Sequence, residues 1–266
     1  MTDVSDYNDA TTNILYTSDA KFINTGTDGN ISSIYSNTVQ RPLSTVRSFS
    51  HGDKNCYTLV PEQGKNNKYL IRASFMYGNY DSKDQLPVFK LYLGVEEWDV
   101  VKFNNNFDIV FKEIIHIPST DYINVCLVNN GSGTPFISAL ELRQLNNSIY
   151  KTQSGSLMLY RRYDVGSTTN QIIRYEDDVY DRIWKPFSWT YWVPISASYT
   201  SDLLSANEYK PPPTVMTNGT PFLKFYWLPN DPSQQFYVYL HFAEVQDLGS
   251  DQLRKFDIFL NGDPLD

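Results

Sequence analysis

The sequence contains few of the side chains on which enzymes and metal sites depend. Its 266 residues include three histidines, at His51, His116 and His241, and two cysteines. No His-Glu-x-x-His metal pattern, Gly-x-Ser-x-Gly nucleophile elbow or Gly-Lys-Ser/Thr phosphate loop occurs. Carboxylate pairs such as Glu96-Glu97 are interpreted as solvated loop charges. The sequence therefore predicts a protein that is not an enzyme, without a metal site or a cofactor.

The chain also lacks a basic cluster and a long apolar run. Its 30 acidic residues outnumber its 22 lysines and arginines, for a formal net charge of -8. This balance predicts no nucleic-acid partner. No run of about 18 apolar residues occurs, so we expect no transmembrane segment in this chain. The N-terminus lacks the basic and apolar regions of a signal peptide. Taken alone, that indicates a cytosolic protein or a true N-terminus that lies upstream.

Aromatic residues are abundant and favour sheets. The chain has 20 tyrosines and 15 phenylalanines, whose side chains pack well on a pleated surface. Turn-forming sequences separate the apolar segments, and no segment shows a long helical period. Period-two or short apolar runs predict strands at residues 56–60, 69–76, 88–93, 98–103, 109–116, 122–128 and 136–142. This spacing predicts an all-β protein with a β-sandwich or jelly-roll fold.

The sequence repeats itself at an offset of 167 positions. Phe75 corresponds to Phe242, and the strand-like residues around each match as well. A weaker match at a shorter offset relates Asp19 to Asp178, each three residues after a tyrosine. Such a self-match indicates a duplicated structural unit, although alternating strands also resemble one another by chance. We interpret it as evidence for two similar lobes.

The predicted lobes are residues 1–149 and residues 150–266, and we expect the second lobe to be incomplete. By the repeat offset, about 40 residues, or three strands, would be missing after Asp266. A sandwich without its last strands exposes strand edges and an open core face. Strands of the second lobe are predicted at residues 157–163, 215–216, 222–227, 236–242 and 256–260.

Four polar or reactive side chains stand out inside the apolar strands. Cys56 and Cys126 are either buried free thiols, which behave as small hydrophobes, or a disulfide between neighbouring strands of a secreted protein. Arg47 and Arg72 are expected to form structural ion pairs with a carboxylate such as Glu141.

Four Asn-x-Ser/Thr sequences begin at Asn30, Asn130, Asn146 and Asn218. They predict N-glycosylation of surface loops in a secreted protein. A chain this rich in Asn, Ser and Thr also produces about three or four such sequences by chance. The sequons therefore indicate secretion only weakly.

The best candidate for ligand binding is the sequence Tyr77-Gly-Asn-Tyr-Asp81, which follows a strong predicted strand. Loops at the end of a sandwich often bind ligands. The rings of Tyr77 and Tyr80 would stack on a sugar, while Asn79 and Asp81 would bond its hydroxyls. The alternative is a tight turn whose tyrosines cover the edge of the core.

Several sequence motifs together resemble one protein family. They include Thr45-Val-Arg-Ser-Phe49, Asn55-Cys-Tyr-Thr-Leu59, the candidate loop itself, Gly133-Thr-Pro-Phe-Ile-Ser-Ala-Leu-Glu-Leu-Arg143, Asp181-Arg-Ile-Trp184 and His241-Phe-Ala-Glu244. This set is similar to the malectin-like ectodomain of plant leucine-rich-repeat receptor-like kinases. The resemblance covers essentially the whole chain.

The resemblance implies two tandem malectin-type sandwich lobes on the extracellular face of the plasma membrane. It implies a non-catalytic module that senses a cell-wall carbohydrate or a secreted peptide, with a co-receptor protein as a further partner. A stand-alone soluble lectin is the alternative, and a glycan-active hydrolase is a third. Animal malectin, a distant relative, binds glucose disaccharides through an aromatic pair. Asn79 and Tyr80 stand at that pair in the first lobe, and Gln246 and Asp247 in the second.

Overall fold

Two units make up the chain, and the computed structural model describes residues 6–197, 207–229, 231–249 and 251–265. Contacts within the chain define unit 1 as Met1–Arg161 and unit 2 as Arg162–Asp266. The division lies beyond the predicted boundary between residues 149 and 150 because a short strand at Ser156–Met158 pairs with a strand of unit 1.

Strands make up most of the regular secondary structure in the described part of unit 1. Its short helices are α1 (Ser33–Ser36) and a 3-10 turn at Arg41–Leu43. Its strands are β1 (Tyr7–Asn8), β2 (Leu15–Tyr16), β3 (Thr27–Asn30), β4 (Thr45–Ser48), β5 (Lys54–Leu59), β6 (Tyr69–Met76), β7 (Val88–Leu93), β8 (Glu96–Val101), β9 (Ile109–His116), β10 (Ile123–Ser132), β11 (Phe136–Ile137), β12 (Ala139–Gln144) and β13 (Ser156–Met158).

Two four-stranded antiparallel sheets dominate unit 1. One has the order β5-β10-β7-β8 and the other the order β12-β6-β9-β13. Alternate residues of both sheets contribute to one apolar core. Phe75 of one sheet meets Phe89 of the other edge to face, with ring centroids 5.7 Å apart. The prediction of an all-β fold is confirmed.

A buried ion-pair network crosses the second sheet. Arg72 lies on β6 directly opposite Glu113 of β9 and Glu141 of β12. Its guanidinium donates to Glu113 at 2.9 and 3.1 Å and to Glu141 at 3.0 Å. The Tyr16 hydroxyl, on β2, also donates to Glu141. The predicted pairing of Arg72 with Glu141 is confirmed, and cross-strand register is its cause.

A second buried arginine of unit 1 binds a different carboxylate. Arg47 of β4 donates two 2.7 Å hydrogen bonds to Asp19, and Tyr57 of β5 donates to the same carboxylate at 2.8 Å. Arg47 also forms an ion pair with Asp28 at 3.0 Å. These bonds anchor the irregular segment that contains Asp19 to the strands, because a bidentate arginine fixes both position and orientation.

Unit 2 has shorter strands than unit 1. In its described residues they are β14 (Tyr163–Val165), β15 (Lys185–Phe187), β16 (Ile195–Ser196), β17 (Asn218–Gly219), β18 (Phe259–Leu260) and β19 (Asp263–Pro264), and a short helix, α2 (Pro213–Met216), precedes β17. They pair as β14-β15, β16-β17 and β18-β19. The first pair is parallel and the other two are antiparallel.

Most strands predicted for the second lobe do not form in the described part of unit 2. Residues 222–227 and 236–242 form no strand pairing there. Of residues 256–260, only Phe259–Leu260 is paired with another strand. Residues 215–216 lie in α2, whose first residue is a proline with a backbone suited to a helix start. An apolar segment is stable as a strand only beside a partner strand that forms hydrogen bonds with its backbone N–H and C=O groups. Large apolar side chains are accordingly exposed at Phe222, Tyr226, Leu228, Phe242 and Phe256. An incomplete second sandwich lobe remains a prediction.

Unit 2 nevertheless has a buried polar centre of its own. Asp178 accepts hydrogen bonds from Arg182 Nε at 2.9 Å and from the indole nitrogen of Trp184 at 2.6 Å. All three side chains are buried. Asp19 and Asp178, the two aspartates of the weaker sequence match, thus each bind one arginine and one aromatic donor.

Candidate ligand-binding loop

The candidate loop, residues 77–81, begins where β6 ends at Met76 and turns sharply. Gly78 has a φ of +49°, and its N–H donates to the Asn106 carbonyl at 2.8 Å. A Cβ at this position would lie 2.5 Å from the Cβ of Ile31. Glycine is therefore needed here, because the backbone of the turn packs directly against a core side chain.

Tyr77 is a core residue rather than an exposed ring. Its side chain is fully buried, and its centroid lies 6.2 Å from that of Phe136. Its hydroxyl donates to Asp81 at 2.6 Å and accepts from the Gln85 N–H at 3.2 Å. Burial, followed by the bond to Asp81, raises the pKa of Tyr77 to about 12. The ring is unavailable for stacking on a ligand.

Asn79 and Asp81 are occupied by hydrogen bonds within the loop. The Asn79 side-chain oxygen accepts from the Asp84 N–H at 2.9 Å, and Asp81 accepts from the Lys83 N–H at 3.2 Å. Both side-chain oxygens therefore hold the backbone of the next few residues. Asn and Asp side chains in turns commonly accept such hydrogen bonds from nearby backbone N–H groups.

Tyr80 is half-buried against the same aromatic cluster. Its ring centroid lies 5.1 Å from that of Phe136 and 5.7 Å from that of Tyr77. Burial raises the pKa of the Tyr80 hydroxyl well above its ordinary value. The structure thus brings the four predicted residues together, but it commits most of their groups to one another and to the core.

Residues 82–85, which this network supports, were not among the site residues predicted from the sequence. Their side chains are exposed, and Ser82 and Asp84 have positive φ angles of 57° and 52°. Asp84 also accepts from the Asn106 side chain. The polar sequence Asp81-Ser-Lys-Asp-Gln85 was the available signal. It forms an exposed turn at the end of the sandwich, and the side chains of Asn79 and Tyr77 accept hydrogen bonds from its backbone.

Cys56 and Cys126 form a disulfide, with an S–S distance of 2.12 Å. They lie opposite each other on β5 and β10. The bond joins two positions separated by 70 in the sequence, and the enclosed segment includes β6 to β9 and the candidate loop. The thiols are therefore paired rather than free in this structure.

Three of the four sequon asparagines are exposed, and one is not. Asn30, Asn130 and Asn146 lie at the surface. Asn218 is half-buried, and its side-chain nitrogen donates to both oxygens of Asp164 at 3.2 Å and to the Thr214 carbonyl at 3.1 Å. Glycosylation of these residues remains a prediction.

The described residues give no metal-binding cluster and no membrane span. No group of three or more His, Cys, Asp or Glu side chains converges within that part of the chain. The helices found there are too short to cross a lipid bilayer.

Comparison with known proteins identifies the fold family. The family model of the malectin-like domain matches residues 1–266. The chain belongs to this family. A putative leucine-rich repeat receptor-like serine/threonine-protein kinase of Arabidopsis thaliana is 46% identical over 98% of the chain, which covers 31% of that protein. The Arabidopsis receptor-like kinase IOS1 is 42% identical over 96% of the chain, which covers 29% of it.

Solved structures of receptor ectodomains share the fold. The plant receptor-like kinase FER superposes with a TM-score of 0.62 at 17% identity, over 80% of this chain and 61% of that one. The ANX2 ectodomain of Arabidopsis thaliana superposes with a TM-score of 0.62 at 16% identity, over 81% of this chain and 62% of that one. A third structure contains the peptide RALF23 in complex with FER and LLG2. It superposes with a TM-score of 0.60 at 16% identity, over 82% of this chain and 66% of that one.

These matches place the chain in the ectodomain part of such receptors. It spans about a third of the length of the curated relatives that it matches. The similarity lies in the malectin-like region and not in a kinase domain. The predicted resemblance to plant receptor-like kinase ectodomains is confirmed.

Proposed function

We propose that this chain is the non-catalytic, extracellular recognition module of a receptor-like kinase and that it binds a secreted peptide together with a co-receptor protein. The exposed turn at residues 82–85 is the proposed contact. A ligand-binding loop that is already rigid loses less conformational entropy when it binds a partner.

The observation that carries this proposal is that internal hydrogen bonds occupy the Tyr77 hydroxyl and one side-chain oxygen each of Asn79 and Asp81. Tyr77 and Asp81 bond each other, and Asn79 bonds the backbone of Asp84. A sugar site needs open amide, carboxylate or hydroxyl groups beside an accessible ring. Here those groups instead stiffen the neighbouring turn, which favours recognition of a protein surface over a sugar at this loop.

A solved structure of the same fold is the reason for proposing a peptide as the ligand. That solved structure contains the plant peptide RALF23 in complex with FER and LLG2. Because that similarity is at 16% identity, it supports the class of ligand rather than this particular peptide.

The test is a binding screen of the full chain against synthetic secreted plant peptides, RALF23 included, with and without LLG2. We expect saturable binding of at least one peptide, weakened by Lys83→Glu. Lys65→Glu, on another exposed loop, is the matched control. Failure of every peptide, or equal binding by both variants, would contradict the proposal.

The alternatives give different outcomes in the same assays. A stand-alone lectin would bind neutral oligosaccharides at the 77–81 loop and no peptide. A hydrolase would release sugar from cell-wall oligosaccharide, and a single Asp or Glu substitution would abolish that turnover.

A further inference from the structure

The chain contains three Asn-Gly pairs, and the structure holds their side chains differently. The pairs are Asn130-Gly131, Asn218-Gly219 and Asn261-Gly262. In such a pair the backbone nitrogen of glycine can attack the amide carbon of asparagine, because glycine has no side chain to block the approach. The reaction converts asparagine to aspartate or isoaspartate. Its rate depends on whether the fold brings the two reacting atoms together.

Asn130 and Gly131 lie in a bulge of β10. Asn129 and Ser132 pair with consecutive residues of β7, so the two residues between them have no partner in that strand. Bulged residues are released from the hydrogen-bonded ladder of the sheet. Both residues are exposed, and Gly131 has a φ of +84° with no atom within 4 Å of the place of a Cβ. The backbone of the bulge therefore has room to rearrange.

Two backbone N–H groups set the geometry of this pair. The Ser132 N–H donates to Asn130 Oδ1 at 3.0 Å, which closes a ring that contains both reacting atoms, Asn130 Cγ and Gly131 N. The accepting oxygen is the one that becomes negatively charged during the attack, and a donor already in place there lowers the barrier. The Gly131 N–H donates to the side-chain oxygen of Asn129 at 2.8 Å, so Asn129 opposes the loss of that proton.

The other two asparagines have different surroundings. Asn218 Nδ2 donates to both oxygens of Asp164 at 3.2 Å and to the Thr214 carbonyl at 3.1 Å. These bonds hold the nitrogen that would have to leave, and the following glycine is paired with Ile195 of β16. Asn261 lies in the two-residue turn between β18 and β19, where the described residues give its side chain no hydrogen bond. Neither asparagine has the N–H donor that Ser132 supplies.

We propose that Asn130 is a site of non-enzymatic deamidation and that it is modified wherever it carries no glycan. The Gly131 nitrogen, deprotonated by hydroxide, forms a bond to Asn130 Cγ. The bond from Cγ to Nδ2 then breaks, and the amide nitrogen takes a proton from water and leaves as ammonia. Water opens the cyclic imide at either carbonyl carbon and gives aspartate or isoaspartate. The net change consumes one water and releases one ammonia.

Glycosylation and deamidation compete for one nitrogen, because Asn130 also begins a sequon. An N-linked glycan is attached to Asn130 Nδ2, the atom that deamidation expels. Deamidation therefore removes the glycan acceptor and adds a negative charge, and isoaspartate also lengthens the backbone of the bulge. This inference does not depend on the peptide recognition proposed above.

The test incubates the full chain, produced without glycans but with its disulfide, at neutral and at alkaline pH. Peptide mapping with fragmentation that separates isoaspartate from aspartate follows the three asparagines. We expect Asn130 to convert at least about tenfold faster than Asn218 or Asn261. Alkaline pH should speed the conversion, because hydroxide removes the proton. In the reduced, denatured chain the three rates should converge, because only the fold distinguishes the three pairs.

Variants separate the chemistry of the bulge from a general effect on the fold. Gly131→Ala should slow the conversion of Asn130 severalfold, since a methyl group hinders the attack, and Asn129→Ala should speed it. Gly94→Ala, at another open glycine with a positive φ, is the matched control and should convert as the parent does.

Chain from a glycosylating host should keep asparagine wherever Asn130 carries a glycan. Conversion of Asn130 that is absent, or no faster than at Asn218 and Asn261 in the folded chain, would overturn the proposal. An unchanged rate in Gly131→Ala would do the same.

Discussion

The Tyr77 hydroxyl lies 2.6 Å from a carboxylate oxygen of Asp81 and donates a hydrogen bond to it. This bond joins a core ring to the base of the exposed turn. If it stabilises that turn, Tyr77→Phe should lower the free energy of unfolding by about 1–2 kcal/mol and speed hydrogen exchange at residues 82–85. Urea denaturation and exchange mass spectrometry measure both. Tyr122→Phe, at an exposed tyrosine, is the control, and identical effects of the two substitutions would contradict the assignment.

The Arg72 network should be far more sensitive than a surface ion pair. Arg72→Ala leaves Glu113 and Glu141 buried without their shared cation, at a cost of about 3–5 kcal/mol. Lys90 forms an exposed pair with Glu97, and Lys90→Ala should leave the unfolding midpoint unchanged within error. Calorimetry of both variants measures these changes in the unfolding transition. A small effect of Arg72→Ala would show that water reaches the network.

Asp164 should make the stability of unit 2 depend on pH. Burial raises the pKa of this carboxyl above its ordinary value of 3.8, although hydrogen bonds from Asn218 and Ser167 oppose the shift. Because the folded-state pKa exceeds the unfolded one, the stabilisation is complete at acidic pH and is lost as pH rises through the folded-state pKa. Thermal unfolding across pH should show that loss in the parent chain but not in Asp164→Asn. Asp257→Asn, at an exposed aspartate, should keep the parent profile.

The four sequons should differ in their occupancy on secreted, folded protein. Within the described chain the side-chain nitrogens of Asn30, Asn130 and Asn146 donate no hydrogen bond, whereas that of Asn218 binds Asp164. A glycan on Asn218 would displace this half-buried contact. Glycopeptide mass spectrometry should therefore find glycans at the first three positions and little at the fourth. High occupancy at Asn218 would refute the argument.

Unit 1 could largely be predicted from the sequence because its strands carry period-two or short apolar runs that turn-forming segments separate. The predicted segments 69–76, 88–93 and 109–116 coincide with β6, β7 and β9. The cross-strand pair of Arg72 and Glu141 followed from a charge in an apolar strand. The local pattern of apolar residues suffices to predict a strand where that strand has neighbours on a buried sheet.

Unit 2 and the loop chemistry could not be predicted in the same way. Residues 236–242 have a strand-like pattern, yet a pattern shows only that a strand would be compatible with a partner, not that a partner exists. At Tyr77 the sequence could not distinguish an exposed ring from a core ring. That difference depends on the approach of Phe136, which is distant in sequence.

The bond between Cys56 and Cys126 determines how tension would travel through unit 1. A pull on the two ends of the chain would pass from one sulfur to the other across β5 and β10. Everything enclosed between them, including the turn at residues 82–85, would carry none of the load. That turn would keep its shape even while the outer strands of a stretched molecule were peeled away.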